Sequence, residues 1–419
     1  MAIVNLAYGR GFLPLEVPDG AEIIEPRSRP RLPDERAAVA AALRVPLAGP
    51  GLRELARGRR TVGISICDNT RPYPLQTVLP PVLEELAGRE VTLFVATGSH
   101  RACTPAELFE MLGAEILSAV AISQHDARRA DAHRRVTVIP DSGAPAALDA
   151  AFLDQDLRLT LGLIEPHFFA GFSGGPKMVA PGLASLETIF DLHSTARAGH
   201  PLATWGVAVG NPIHDAIRHV AAAAEVHLAL DITQNRRRQM TGLFAGPPSV
   251  SHPQGYAAVR RTAMCPVAEP FDVVVTTNGG YPLDQNLYQT VKGMSAAAQI
   301  VKPGGAILVA SECSDGFPSH GRYRELLAAY PGPPEFLAAL PGLPPRPDLW
   351  QVQVQAQIQS KARVLLHTSG LSEAEVAAGW LEPAGDLAGA LRGLLRAAGP
   401  GARLAVLPGG PHLIPYLAR

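Results

Sequence analysis

Apolar positions in this chain come in short unbroken runs, each of which ends on a small or polar residue and gives way to a segment rich in Ala, Leu and Glu. Residues 61–68 (TVGISICD), 91–98 (VTLFVATG), 157–164 (LRLTLGLI), 226–231 (VHLALD), 271–277 (FDVVVTT) and 305–311 (GAILVAS) follow this pattern and predict strands. Strands that are apolar at successive positions, not at alternate ones, are buried on both faces. That implies mostly parallel sheets covered by helices, an α/β fold. Thr104, Pro105 and Glu107 have the spacing of an N-cap, a first-turn proline and a capping-box acid, so a helix should start there. A second helix is expected around 186–192. The proline-rich stretch 330–347 reads as an irregular connector, and 403–408 as one more strand whose sheet the pattern does not settle.

A length of 419 residues exceeds what one core ordinarily supports, so two domains are expected. A break in pattern at 266–270 puts the boundary there. Residues 1–265, with possible completion by 402–419, would form one α/β unit and residues 266–401 the other. No internal repeat is evident.

The net charge of −1 gives no electrostatic reason to expect nucleic acid or an anionic membrane as partner. The basic runs at 236–238 and 128–135 lack interleaved aromatics and read as solvated surface. Cys67, Cys103, Cys265 and Cys313 have no metal-knuckle or disulfide-framework spacing. With no signal-like N-terminus and no apolar stretch of membrane-spanning length, a soluble cytoplasmic protein is expected.

Lysine is scarce: of 37 basic Lys and Arg residues, Lys177, Lys292, Lys302 and Lys361 are the lysines. An amine can lose its proton on burial and form covalent bonds, which a guanidinium does not do. Lys177 closes a glycine-rich bend ten residues after His167, and His193 follows sixteen residues later. The bend lacks the spacing and the hydroxyl of a P-loop, which argues against an NTPase. Lys177 is a candidate for covalent work, with a phosphate-facing lysine as the plain alternative. Asp68 and Arg71 sit on a loop after the first strand, suited to orienting a histidine and clamping an anion. His100 follows the next strand. Gln289 and Lys292, three residues apart on a helix, could receive a carboxylate. The other ten histidines are read as structural or solvated.

Taken in order, Asp68-x-x-Arg71-Pro72, Gly98-Ser-His100, Pro166-His167 through Gly171-Phe-Ser-Gly-Gly-Pro-Lys177, Pro181-Gly182, His193 and Gln289-x-x-Lys292 resemble the nickel-pincer lactate racemase family. The resemblance extends to about 348–351. It implies two Rossmann-like domains with the active site in the cleft between them, and an isomerase that racemises or epimerises small 2-hydroxy acids. Lactate is the default substrate, and malate, longer aliphatic, aromatic and sugar acids remain open. The implied cofactor is nickel in a pyridinium-3,5-bisthiocarboxylic acid mononucleotide, attached to Lys177 by cofactor maturation enzymes. The family pattern makes His193 the nickel ligand, His100 and His167 the acid/base pair, and Asp68 the group orienting a catalytic histidine. It makes Arg71, Gln289 and Lys292 the substrate clamp and puts Tyr288 and Trp350 beside the cofactor. Two rivals stay in view: a zinc or iron enzyme using His100, His167 and His193 directly, and a non-catalytic binder of a nucleotide or organic acid.

Overall fold

The structure is a computed structural model that describes residues 1–318 and 321–418, so His320 lies outside the described residues. It contains two six-stranded sheets. In the first, the strands run in the order Met240–Gly246, Leu228–Gln234, Leu157–Leu163, Thr61–Cys67, Glu90–Ala96, Ala121–Gln124. All pairings are parallel except that of the Met240–Gly246 edge. The second sheet is parallel throughout, in the order Glu382–Pro383, Arg363–His367, Val301–Ala310, Phe271–Thr277, Leu404–Leu407, Glu22–Ile23. The strand Leu404–Leu407 therefore joins the second sheet, not the first, and so does the short strand at Glu22–Ile23, while the last strand, Ile414–Leu417, pairs with Met264–Val267.

Burial explains the unbroken apolar runs. Val273 and Val275 face a cluster with Leu308, Val406 and the amphipathic helix Leu387–Ala398, while Val274 between them faces the opposite side with Ile307. In the first sheet Val62, Ile64 and Ile66 are fully buried. Phe94 and Phe152 of that sheet's other face belong to the same apolar cluster as Val274 and Ile307, so a continuous core joins the two halves.

In each sheet the strand order reverses beside the earliest long strand. Chain order leads from Thr61–Cys67 outward through Glu90–Ala96 to one side, then crosses to Leu157–Leu163 on the other. Phe271–Thr277 has the same relation to Val301–Ala310 and Leu404–Leu407. Ligands of open α/β sheets bind beyond the carboxyl ends of strands at such reversals, and that is where residues 68–71, 98–100, 164–177 and 278–292 emerge.

Local signals act as expected at two helices. Thr104 and Glu107 form a reciprocal capping box at the start of Pro105–Ala119, and the Ser185 side chain caps Leu186–Leu192. The connector expected at 330–347 is instead partly helical, with Pro333–Ala339 followed by a 3₁₀ turn at Leu340–Gly342. Pro333 stands at the start of that helix, where a missing N–H costs nothing, and fully buried Phe336 pins it against Tyr330 and Trp380.

One buried acid holds the glycine bend to the sheet. Asp231, in the middle of the strand Leu228–Gln234, accepts a hydrogen bond from the Gly175 N–H at 2.7 Å, and its other oxygen has no partner among the described residues. Gly175 has φ +48°, and a Cβ there would meet the His252 ring at 2.4 Å, so this position requires glycine. Burial pushes the Asp231 carboxyl up to about 7. The unfolded chain releases this proton near pH 4, whereas the folded chain holds it to about 7, so stability falls as pH rises through that window. Asp231→Asn, which cannot ionise, should remove roughly 2–4 kcal/mol of this loss between pH 4 and 7. Urea unfolding of both proteins across the range checks it, and parallel pH profiles would exclude the buried proton.

Candidate active site

Asp68 leaves the first strand buried and fully engaged. Its Oδ1 accepts from the Thr70 N–H at 3.2 Å and the Thr70 hydroxyl at 2.6 Å, and its Oδ2 lies 2.7 Å from Nδ1 of His100. Burial would raise this carboxyl, but His100, Thr70 and Arg71 outweigh it and hold it at about 2. An ionised Asp68 accepts a hydrogen bond from the His100 ring at Nδ1, which fixes the ring's orientation and makes Nε2 the nitrogen that can take up a proton.

His167 begins a tight antiparallel hairpin in which Pro166–His167 pairs with Gly171–Phe172. Its Nδ1 accepts the Ala170 N–H at 3.2 Å, and its ring lies against Phe168 and Phe169, with centroids 5.0 and 4.6 Å away. Burial first, then Lys177 and Lys292, hold it well below the usual histidine range, so it is neutral.

Lys177 sits in the 3₁₀ turn Gly175–Met178, with Nζ 5.9 Å from the centre of the Phe169 ring. Burial, with Arg71 adding to it, lowers this amine to about 7. His193 ends the helix Leu186–Leu192, and its Nδ1 donates to the Ile189 carbonyl at 2.9 Å. Burial and Lys177 lower it to about 3, leaving a neutral imidazole with Nε2 as acceptor. Its ring centre is 5.2 Å from that of Phe169 and 4.9 Å from that of Trp350.

The second half contributes the helix Leu287–Ala298, capped by the Asn286 side chain, and the helix Leu349–Lys361. Tyr288 lies edge-on to His100, with centroids 6.5 Å apart, and its hydroxyl accepts from Trp350 Nε1 at 3.1 Å. Lys292 Nζ donates to Gln289 Oε1. Burial, then Arg71, pushes Lys292 well below the ordinary lysine value, although Glu165 and Asp68 oppose the shift.

Asp68, Arg71, His100, His167, Lys177, His193, Tyr288, Lys292 and Trp350 thus line one cavity of about 140 Å³, and Gln289 stands behind Lys292. Four participants had no role in the sequence reading. Glu165 Oε2 lies 3.6 Å from Arg71 Nε, and its Oε1 lies 3.5 Å from His412 Nδ1. Phe169 is the apolar contact common to His167, Lys177 and His193. Gln351 Nε2 donates to the Tyr288 carbonyl at 2.5 Å. Glu165 had the one usable signal, a carboxylate two residues before His167.

The low value of Lys177 has a direct consequence for reactivity. The neutral amine reaches its full population about one pH unit above 7, whereas free lysine titrates near 10.4. Trace labelling with acetic anhydride, read by peptide mass, should show Lys177 reactivity rising to a plateau above about pH 8. A rise that parallels free lysine up to pH 10 would contradict the assigned environment.

Comparison with known proteins agrees over the whole chain. Residues 8–206 match the lactate racemase N-terminal domain, and residues 267–414 match the lactate racemase C-terminal domain. The chain is 32% identical to a lactate racemase of Thermoanaerobacterium thermosaccharolyticum over 427 residues, covering 99% of each chain. It is 31% identical to one from Lactiplantibacillus plantarum, over 99% of this chain and all of the relative. The solved lactate racemase apoprotein from T. thermosaccharolyticum superposes with a TM-score of 0.91 at 31% identity, covering 99% of this chain and 100% of that one. A Thermotoga maritima protein at 18% identity and a TM-score of 0.70 shares the fold. By both its halves and its full-length relatives, the chain belongs to the lactate racemase family.

Proposed function

We propose that this isomerase interconverts the enantiomers of a small 2-hydroxy acid, lactate by default, using a nickel pincer nucleotide attached to Lys177. The observation that supports it most is the meeting, in one buried cavity, of an amine lowered to about 7 with a neutral imidazole and a second, carboxylate-backed histidine.

The residues present fit such a cofactor. A neutral amine is the reactive form for covalent attachment. His193, with Nδ1 committed to a backbone carbonyl, offers Nε2 as a single neutral nitrogen donor. Among the described residues, no group of three or more His, Cys, Asp or Glu side chains is arranged to hold a metal ion. That suits a metal arriving with donors of its own and disfavours the reading in which His100, His167 and His193 bind zinc or iron directly. Phe169 and Trp350 give the site apolar walls. When bound, the nucleotide would supply a reversible acceptor for the substrate's α-hydride, with nickel favoured by soft donors.

The remaining work falls to the chain. Arg71 and Lys292, the latter steadied by Gln289, would hold the carboxylate. His100 Nε2, supported by Asp68, takes the hydroxyl proton as the 2-keto acid forms, and a histidine returns a proton to the keto oxygen on the reverse step. His167 serves the other enantiomer. Fixing the carboxylate lets the reacting carbon reorient while the rest of the molecule stays bound. Burial favours the neutral forms of both the amine and His193.

Protein produced with its maturation enzymes should carry an adduct on Lys177 and nickel, and Lys177→Ala should lose both, by intact mass and metal analysis. His100→Ala or His167→Ala should keep the adduct and nickel while kcat for lactate racemisation falls by about 10²–10⁴. Racemisation in D₂O should leave the α-position largely free of deuterium, because the α-hydrogen travels as a hydride. Full activity and metal content in protein made without maturation enzymes would sink this reading and favour a directly bound metal. Polarimetry against a panel of 2-hydroxy acids would identify the substrate.

A further inference from the structure

Arg71 lines a second cavity as well as the first, and the second is far larger. It encloses about 940 Å³, and eight arginines line it against two carboxylates, Glu25 and Glu165. The walls come from distant parts of the chain: the N-terminal hairpin, the strap at 25–31, the turn at 234–239, the loop at 279–283, and Thr70 and Arg71 from the active-site loop. The 236–238 run, read from sequence as solvated surface, is exposed to solvent but faces this shared space.

Most of this charge is not neutralised from within. Glu25 pairs with Arg236, and Glu165 is divided between Arg71 and His412. Arg10 pairs with Glu110 outside the cavity and lies 3.9 Å above the Tyr281 ring, whose backbone carbonyl is in turn bonded by Arg238. Among the described residues, Arg27, Arg29, Arg31 and Arg237 form no ion pair. A concave wall of unpaired guanidinium groups focuses a positive field into the space it encloses and concentrates anions there.

We propose that this cavity is an anion-collecting vestibule that draws 2-hydroxy carboxylates from solvent and delivers them to Arg71. The inference rests on the function proposed above for the ligand's identity, although the charge arrangement stands without it. Guanidinium groups suit the task because their planar donors take a carboxylate side-on and exchange it without deprotonating. The handover is local: Arg71 and Thr70 belong to both cavities, and Glu165 holds Arg71 through a loose 3.6 Å contact that a substrate carboxylate can replace. Only the rim is dedicated to capture, so its removal should weaken delivery and leave the chemistry alone.

The test is the triple variant Arg27→Gln, Arg29→Gln, Arg237→Gln of the matured enzyme. Its control is Arg57→Gln, Arg135→Gln, Arg396→Gln, which removes equal charge from exposed positions outside the cavity. At low ionic strength kcat/KM for lactate should fall at least about fivefold in the vestibule variant with kcat retained, and stay near wild type in the control. Added salt should lower the wild-type value toward that of the variant, because exposed charges are screened beyond about 8 Å at physiological ionic strength. Equal losses in the two triple variants, or no loss in either, overturn the vestibule. Isothermal titration with oxalate at low ionic strength judges the site without turnover: wild type should bind several-fold more tightly than the vestibule variant. Equal affinities reject the vestibule even in an active racemase, whereas a clear difference in an enzyme that does not racemise lactate upholds the vestibule and rejects the substrate.

Discussion

Arg71 carries a charge that no protein environment removes, and it is held beside two buried amines. A guanidinium stays protonated at any working pH, so the proton balance of the cavity must adjust around it. Arg71 contributes to the lowered values of Lys177, Lys292 and His167, while Asp68 and Glu165 are kept ionised partly by its presence. The result is a division of states within a few ångströms. The carboxylates of Asp68 and Glu165 are held ionised, while burial favours the neutral forms of Lys177, His167 and His193.

The fold makes that division possible by bringing two strand reversals to one place. Asp68, His100 and the His167 hairpin follow neighbouring strands of the first sheet, while Tyr288, Gln289 and Lys292 follow the central strand of the second. Water is kept off the site by the same core that joins the two sheets, so desolvation is the main cause of the lowered amine and imidazole values, with neighbouring positive charges adding to it. On the outer side of Arg71 the walls are charged and wet. One residue thus stands between a cavity lined by Lys177 and three histidines and a larger one lined by eight arginines.

Much of the site is legible in the chain because it depends on residues close in sequence. The unbroken apolar runs locate the strands, the Thr104–Glu107 box locates a helix, and the His167 to His193 stretch puts its lysine and histidines within one loop and one helix. Glu165, Gln351 and His412 escaped because their significance lies in contacts across long separations, and Phe169 because an apolar ring in an apolar run gives no sign of which side chains it will touch. The helix carrying Trp350 and Gln351 shows the limit clearly. Its sequence LWQVQVQAQIQSK alternates as a strand would, yet it is helical, since Gln351, Gln353 and Gln355 each find a bonding partner in the packed interior. The run at 236–238 was likewise readable as exposed, but not as one wall of a cavity whose other walls begin at residue 7.

By itself the sequence determined which chemical groups are available and where local structure presents them, because strand, cap and turn preferences act over a few residues. Tertiary structure decided how those groups are charged and what they face. Protonation depends on how much solvent is removed and on which charges stand within a few ångströms, and both are set by segments hundreds of residues apart. The amine of Lys177 could be recognised from its neighbours in the chain, whereas its lowered value comes from the burial around it and, after that, from Arg71.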